Sequence, residues 1–266
     1  MVLAMPRDAQ MEVLPPLKDK PLRNPGQWLD EEIDRQVNDG FMPYFIAGAL
    51  FWALTGMEAL EKYRHLAPQP AIFGAIAIVV TVLAAIRFRK TYRLVQNLRQ
   101  GRDGERAVGQ YLERLRAHGA DVFHDIPGDG FNLDHVVIAP QGIFAIETKA
   151  WSRRSATSRI RVKEGDLYKE GQKVDPNPIE QVAASAKWLA ELLKESTGAS
   201  LPVQGIVVFP GWFVEPMDAA TKSRAWVLSP KAVPAFIAKE PNRLLGPDVR
   251  LAAFHLGRYV RAKEAE

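Results

Sequence analysis

The sequence predicts an α/β domain, a mixed sheet flanked by helices, preceded by a two-helix transmembrane hairpin. Three observations predict it. Residues 40–57 (GFMPYFIAGALFWALTGM) and 66–86 carry no charged side chain. Arg87, Arg89, Lys90, Arg93, Arg99 and Arg102 then follow without one acid until Asp103. From about residue 101 onward, short apolar β-type runs alternate with amphipathic helical patterns, the signature of a sheet covered by helices.

The chain has 266 residues, 47% hydrophobic and 25% charged, which suits one good-sized domain plus accessories and excludes wholesale disorder. It contains no Cys. Disulfides, zinc fingers, iron–sulfur clusters and Cys nucleophiles are thereby excluded. Lys and Arg number 35 against 31 Asp and Glu, a net charge of +4 with a pI near 9.2. That excess permits a polyanionic partner without demanding one.

Residues 1–40 carry Pro6, Pro15, Pro16, Pro21 and Pro25 and end in an acidic stretch, so a mobile cytoplasmic tail is expected, with a short amphipathic helix at its end. Residues 41–87 form the expected hairpin, with spans at about 41–58 and 70–87. A bilayer crossing needs about 20 apolar residues, with a lower limit near 17. Both stretches are apolar all round rather than striped. Phe41, Tyr44, Tyr63, Phe88 and Tyr92 stand at their ends, where interfacial rings belong. The basic run after the second span places everything beyond residue 87 in the cytoplasm, and with two spans the N-terminus also. The same run suits contact with anionic membrane lipid. A reading without a bilayer makes residues 41–86 a hairpin for self-association, a route to a homo-oligomer.

Residues 88–100 read as a basic juxtamembrane helix or linker, and 101–266 as the α/β domain. Helix is expected over 101–118, with Ala107, Val108, Tyr111, Leu112 and Leu115 on one face. Strands are expected at 120–124, 133–138 and 143–149, the last two paired around Pro140-Gln141-Gly142. A small exposed hairpin covers 152–171. A long helix runs over 179–197 behind Asn177-Pro178. Strands at 203–209 and 225–228 and helices near 230–238 and 247–263 complete the domain.

The chemistry sits on two of these strands. Alternation puts Glu147 and Lys149 on one face, and a tight hairpin brings Asp134 toward them. Two neighbouring carboxylates repel, so one tends to stay protonated. A hard divalent cation removes the conflict, since Mg²⁺ takes one or two carboxylates plus water and phosphate oxygens. Such an ion activates water and polarises a phosphoryl group, with Lys149 placed to hold that water or stabilise phosphate charge. On their own, Glu147 and Lys149 also suit a surface ion pair on an edge strand, worth little energy.

The array Asp134…Glu147-Thr148-Lys149 resembles the PD-(D/E)XK, or restriction-endonuclease-like, superfamily of nucleases. More narrowly, residues 101 to about 230 resemble the nuclease-related domain, NERD. The resemblance rests on four pieces in order: Gly101-Arg102-Asp103-Gly104-Glu105; Asn132-Leu133-Asp134-His135-Val136-Val137-Ile138; Gly142-Ile143-Phe144-Ala145-Ile146-Glu147-Thr148-Lys149-Ala150-Trp151; and Asn177-Pro178-Ile179-Glu180-Gln181. It implies a restriction-endonuclease-like fold and Mg²⁺-dependent phosphodiester hydrolysis, with Mn²⁺ as a substitute, DNA as the substrate and 5′-phosphate products. Asp134 and Glu147 would be the metal ligands, with the Thr148 carbonyl completing coordination. Lys149 would activate the water, Glu105 would add an acidic partner, and Gln181 would reach into the same site. Ala150 and Ser152-Arg153-Arg154 depart from the Asn and Gly usual there, which bears on substrate detail.

Arg153, Arg154, Arg159, Arg161 and Lys163 lie just beyond this array and suit phosphate contacts, or equally a hairpin coated with charge for solubility. His135 points away from Asp134 and reads as structural; His118, His124 and His255 lack ligand spacing. Gly101-x-x-Gly104 is not a phosphate loop, so no nucleotide cofactor is expected. The competing function is a nuclease fold without catalysis that binds DNA or a protein at the membrane.

Overall fold

The structure, a computed structural model, describes residues 22–62, 70–153, 155, 157–217, 222 and 224–264. Residues 1–21 of the expected tail, Tyr63 and Arg154 lie outside the described residues. The described helices are α1 (Gln27–Asn38), α2 (Met42–Lys62), α3 (Pro70–Leu112), α4 (Pro178–Thr197), α5 (Val233–Lys239) and α6 (Gly246–Lys263). The strands are β1 (Asp121–Pro127), β2 (Asn132–Ala139), β3 (Gly142–Thr148), β4 (Arg159–Lys163), β5 (Asp166–Lys169), β6 (Gln172–Lys173), β7 (Val203–Val208), β8 (Phe213–Val214) and β9 (Ala225–Leu228).

α2 and the first part of α3 pair as the expected hairpin. Trp52 Nε1 donates to Thr81 Oγ1 at 3.0 Å, and Arg87 Nη2 donates to the Tyr44 hydroxyl at 3.1 Å. The Phe41 and Phe88 rings lie 5.2 Å apart at the same end. Away from this seam the two helices present large apolar side chains outward: Phe45, Leu50, Met57, Ile78 and Val79 are each more than half exposed. Both helices are long and apolar enough to cross a membrane.

Of the helix or linker expected over residues 88–100 the structure shows helix: α3 runs unbroken from Pro70 to Leu112, about 65 Å at 1.5 Å per residue. Its middle is rich in Arg, Leu and Gln, and of its four glycines, which weaken a helix, Gly101 lies against Leu29 and Gly104 against Ala150. Glu105 therefore sits inside a long helix rather than in a first turn. Residues 22–39 are likewise docked rather than a mobile tail. α1 buries Leu29 and Ile33, and Asp30 pairs with Arg102 at 3.0 Å and with Arg106 on α3.

A five-stranded mixed sheet follows, in the order β1-β2-β3-β7-β9. β1, β2 and β3 are antiparallel, while β7 and β9 extend the sheet in parallel. The β2–β3 turn is tight: Ala139 pairs with Gly142, leaving only Pro140 and Gln141 between, and Gly142 takes φ 146°, which a side chain rarely adopts. One face packs Val137, Phe144, Ile146 and Val208 under Val108 and Leu112 of α3 and Ile237 of α5. The other packs Val136, Ile138 and Ala145 under Leu189 of α4 and Leu256 of α6.

Residues 159–173 form more than an exposed hairpin. β4 and β5 pair antiparallel as expected, but they belong to a second sheet, β6-β5-β4-β8, whose Ile160, Val162 and Leu167 are buried against Ile179 and Val182 of α4. Asn177 links this sheet to α4. Its Oδ1 caps the helix by accepting from Ile179 N at 3.1 Å, and its Nδ2 donates to the Gly165 carbonyl at 3.0 Å. That contact fixes where α4 begins, and so where Gln181 points.

Candidate active site

The register of the main sheet builds the site. His135 pairs with Ile146, and His124 with His135. One step along, the same register sets Asp134 opposite Glu147 and Asp125 opposite Asp134, so one row across β1, β2 and β3 carries three acids. Asp134 and Glu147 share the face of Val136 and Ala145, toward α4. At Asp125 the backbone leaves the extended region, with φ 53°, and no ladder pair joins it to Asp134.

The Glu147 side chain is 6% exposed. Its Oε1 accepts from Lys149 Nζ at 2.7 Å and from Gln181 Nε2 at 2.8 Å, while Gln181 Oε1 accepts from the same Lys149 Nζ at 2.9 Å. The three side chains close a triangle. Glu147 Oε2 stays buried without a hydrogen-bond partner among the described residues. Asp134 Oδ2 accepts the Thr148 backbone N–H at 2.6 Å, which ties β2 to the end of β3. Lys149 N donates to the Val208 carbonyl at 2.9 Å, so the last strand contacts hold the chain beneath the lysine.

Glu105 joins these acids through the electrostatic field. Burial, then the charges of Asp125 and Glu147, push its carboxyl up to about 8, against a backbone hydrogen bond from Gly26. Burial, then Glu147 and Glu105, hold Asp134 well above the usual carboxylate range. Glu105 and Asp134 are thus each made harder to ionise by neighbouring acids, the conflict a cation relieves. Among the described residues, no group of three or more His, Cys, Asp or Glu side chains is arranged to hold a metal ion. Mg²⁺ needs fewer, since one or two carboxylates with waters and phosphate suffice. The orphaned Glu147 Oε2 beside Asp134 fits such an ion, with Thr148 and Glu105 at its edge.

The basic residues lie elsewhere. Arg159, Arg161 and Lys163 alternate outward on β4, where Arg161 Nε donates to Glu215 at 2.7 Å, Arg159 approaches Glu215 at 3.5 Å and Lys163 approaches Glu164 at 3.7 Å. Arg153 is exposed near Gly211. The three side chains remain largely exposed, and their acidic partners offset part of their charge.

Three features escaped the sequence reading. Gln100 of α3 donates to the Ala150 carbonyl and accepts from Ser152 Oγ at 2.8 Å, holding the loop after Lys149. Asp125 is clasped by Trp28 N–H at 2.6 Å, Asn132 Nδ2 at 3.2 Å and Arg23 Nε at 3.3 Å. A lone acid inside the apolar run Val122-Phe123-His124-Asp125-Ile126 was the available signal for it, since a buried carboxylate demands partners. His124 and His135 face each other in the core, Nδ1 to Nδ1 at 2.8 Å.

No curated protein and no solved structure matches the chain. A family model does, that of the nuclease-related domain, over residues 100–210. That segment opens five residues before Glu105 and holds Asp134, Glu147, Thr148, Lys149 and Gln181, so residues 100–210 match the nuclease-related domain family, NERD.

Proposed function

We propose that the protein is a Mg²⁺-dependent nuclease that hydrolyses phosphodiester bonds, of DNA first among nucleic acids, from the cytoplasmic face of a membrane. The observation that carries it is the shared grip of Lys149 and Gln181 on one oxygen of Glu147, with its second oxygen buried and without a hydrogen-bond partner among the described residues. An Mg²⁺ or Mn²⁺ ion held by Asp134 and Glu147, with the Thr148 carbonyl, would polarise a phosphoryl oxygen and lower the pKa of water. Lys149, held from two sides, keeps its ammonium group aimed at one place. There it orients the attacking water and stabilises charge on the phosphate. Water oxygen would bond to phosphorus and give up a proton as the bond to the 3′ oxygen breaks; that oxygen takes a proton and leaves as a 3′ hydroxyl, and the phosphate stays on the 5′ oxygen of the downstream fragment. Gln181 positions Lys149, and Glu105 supplies a further carboxyl whose ionisation a bound cation would favour.

The membrane part of the reading rests on the outward apolar side chains of α2 and α3 and on the arginines from Arg87 onward. Because α3 continues to Glu105, the site would stand about 27 Å along one helix from Arg87. The full chain should sediment with membranes and resist alkaline carbonate extraction. Recovery in the soluble fraction without detergent would end this part and favour the self-association hairpin.

The experiment for the enzyme is cleavage of single- and double-stranded DNA and RNA by the full chain in mild detergent. Mg²⁺ should support cutting, and both EDTA and Glu147→Ala should stop it. Undiminished cutting by Glu147→Ala would refute the assignment. That no three or more His, Cys, Asp or Glu side chains among the described residues are arranged to hold a metal ion favours a second reading, a binding module without catalysis. Metal-independent binding with no cleavage in Mg²⁺ or Mn²⁺ would establish that one.

A further inference from the structure

Beside the acids lies a cavity of about 370 Å³ whose walls include Trp28, Glu105, Asp125, Phe131, Asn132 and Asp134. Two of these are large aromatic side chains left in contact with solvent, Trp28 at 42% and Phe131 at 37% exposure. Neither is loosely placed. Trp28 sits in the first turn of α1, where its N–H is fixed on Asp125 at 2.6 Å and its neighbour Leu29 is buried. Phe131 closes the β1–β2 turn, where Gly128 N donates to the Phe131 carbonyl at 2.7 Å. Its ring lies directly over Gly128, so close that a Cβ there would stand 2.6 Å from it, and it meets the Trp188 ring edge to face at 5.1 Å. The backbone thus holds two partly exposed rings beside the carboxylates.

Solvent-exposed rings on fixed supports, at the mouth of a site read as cutting nucleic acid, suit a flat aromatic ligand. A nucleobase is such a ligand, and stacking accepts any base because each has a π-face. The local charge does not forbid a polyanion: Asp125 is matched by Arg23 and by the Trp28 N–H, and Asp134 and Glu105 adjoin the proposed cation. Bases inside a duplex are stacked on each other and unavailable, so the rings require an unpaired one.

We propose that Trp28 and Phe131 form a nucleobase-stacking subsite at the edge of the site, which makes a single-stranded or frayed end the favoured substrate. The proposal rests on the nuclease reading for its biological sense, but its binding test needs no turnover. It also brings α1, outside the matched segment 100–210, into substrate recognition.

The test measures anisotropy of a fluorescein-labelled oligothymidylate of about 12 nucleotides on the full chain in detergent, with Ca²⁺ in place of Mg²⁺ and again in EDTA. Trp28→Ala and Phe131→Ala should each weaken binding about tenfold, while Trp28→Phe stays within about twofold of the wild type. A duplex of equal length should bind more weakly and lose less on either substitution. Unchanged oligothymidylate affinity in both Ala variants, or equal losses for duplex and single strand, would overturn the subsite. Absence of oligothymidylate binding by the wild type would overturn it as well. In Mg²⁺, KM should rise in the Ala variants with kcat retained. Cleavage with unaltered KM in both variants would remove the subsite and leave the nuclease. Binding that depends on both rings, with no cleavage in any metal, would remove the nuclease and leave the subsite.

Discussion

Gln181 donates to the same oxygen of Glu147 that receives Lys149, at 2.8 Å, and accepts from Lys149 at 2.9 Å. A neutral amide is well suited to that place, because it has one group for the anion and one for the cation. Gln181→Ala should free Lys149 without removing a charge. Cleavage should fall by about ten- to a hundredfold in kcat, with KM little changed. Gln181→Glu should be worse, since its carboxylate repels Glu147. Single-turnover rates check both, and wild-type rates in Gln181→Ala would discount the positioning role.

Asp134 exposes a conflict between stability and activity. Burial and its acidic neighbours oppose its ionisation, so the metal-free fold bears an electrostatic cost. Asp134→Asn keeps an oxygen for the Thr148 N–H and removes the charge. The metal-free variant should be more stable by about 1 kcal/mol, while cleavage falls to background. Urea unfolding beside activity checks this. A destabilised variant would mean that the charge serves the fold.

Gly104 is required by a helix–loop contact. A methyl group there would run into the Ala150 Cβ, one residue after Lys149. Gly104→Ala gains helix propensity of about 1 kcal/mol but forces α3 away from that loop, at about 1–3 kcal/mol. The variant should lose stability and activity together. Thermal unfolding measures the first, and a rise in unfolding midpoint would show that the loop yields freely.

The histidine pair gives a pH dependence with a definite sign. Burial lowers the pKa of His124, against the pull of Glu113, whose Oε1 lies 2.9 Å from its Nε2. Burial and then His124 lower that of His135 well below 6.5. The folded rings stay neutral where the unfolded ones take up protons, so the unfolded state binds more protons below 6.5. Stability is retained above that pH and declines as pH falls beneath it. Glu105, pushed up to about 8, and Asp134, also raised, act in the opposite sense over this window, so the pair's share is read by difference. The unfolding midpoint of the wild type relative to that of the double variant His124→Gln/His135→Gln should drop between about pH 7.5 and about pH 5, and parallel profiles would reject the pair as a source of pH dependence.

Periodicity made the main sheet legible. Residues 133–138 and 143–149 read as a hairpin around Pro140-Gln141-Gly142, and β2 and β3 form it with Asp134 opposite Glu147. The Asn177-Pro178 start of α4 was equally plain, because capping is a local property. Contacts between distant segments were not legible. Nothing near Asp30 shows that it will meet Arg102 and Arg106, so α1 read as the amphipathic end of a mobile tail rather than as a docked helix. Gly101 read as a helix start because glycine weakens helices, yet Leu29 packs against it and α3 passes through. The arginines of β4 carry visible charge, but the sequence does not reveal that Glu215, far along the chain, pairs with two of them.

Diffraction from Mn²⁺-soaked crystals of the full chain bears most directly on the site. An anomalous peak should lie between the Asp134 and Glu147 carboxylates, about 2.1 Å from an oxygen of each, and vanish in Glu147→Ala. Crystals that show no peak there, or one bound only at surface acids away from Lys149, would contradict the account.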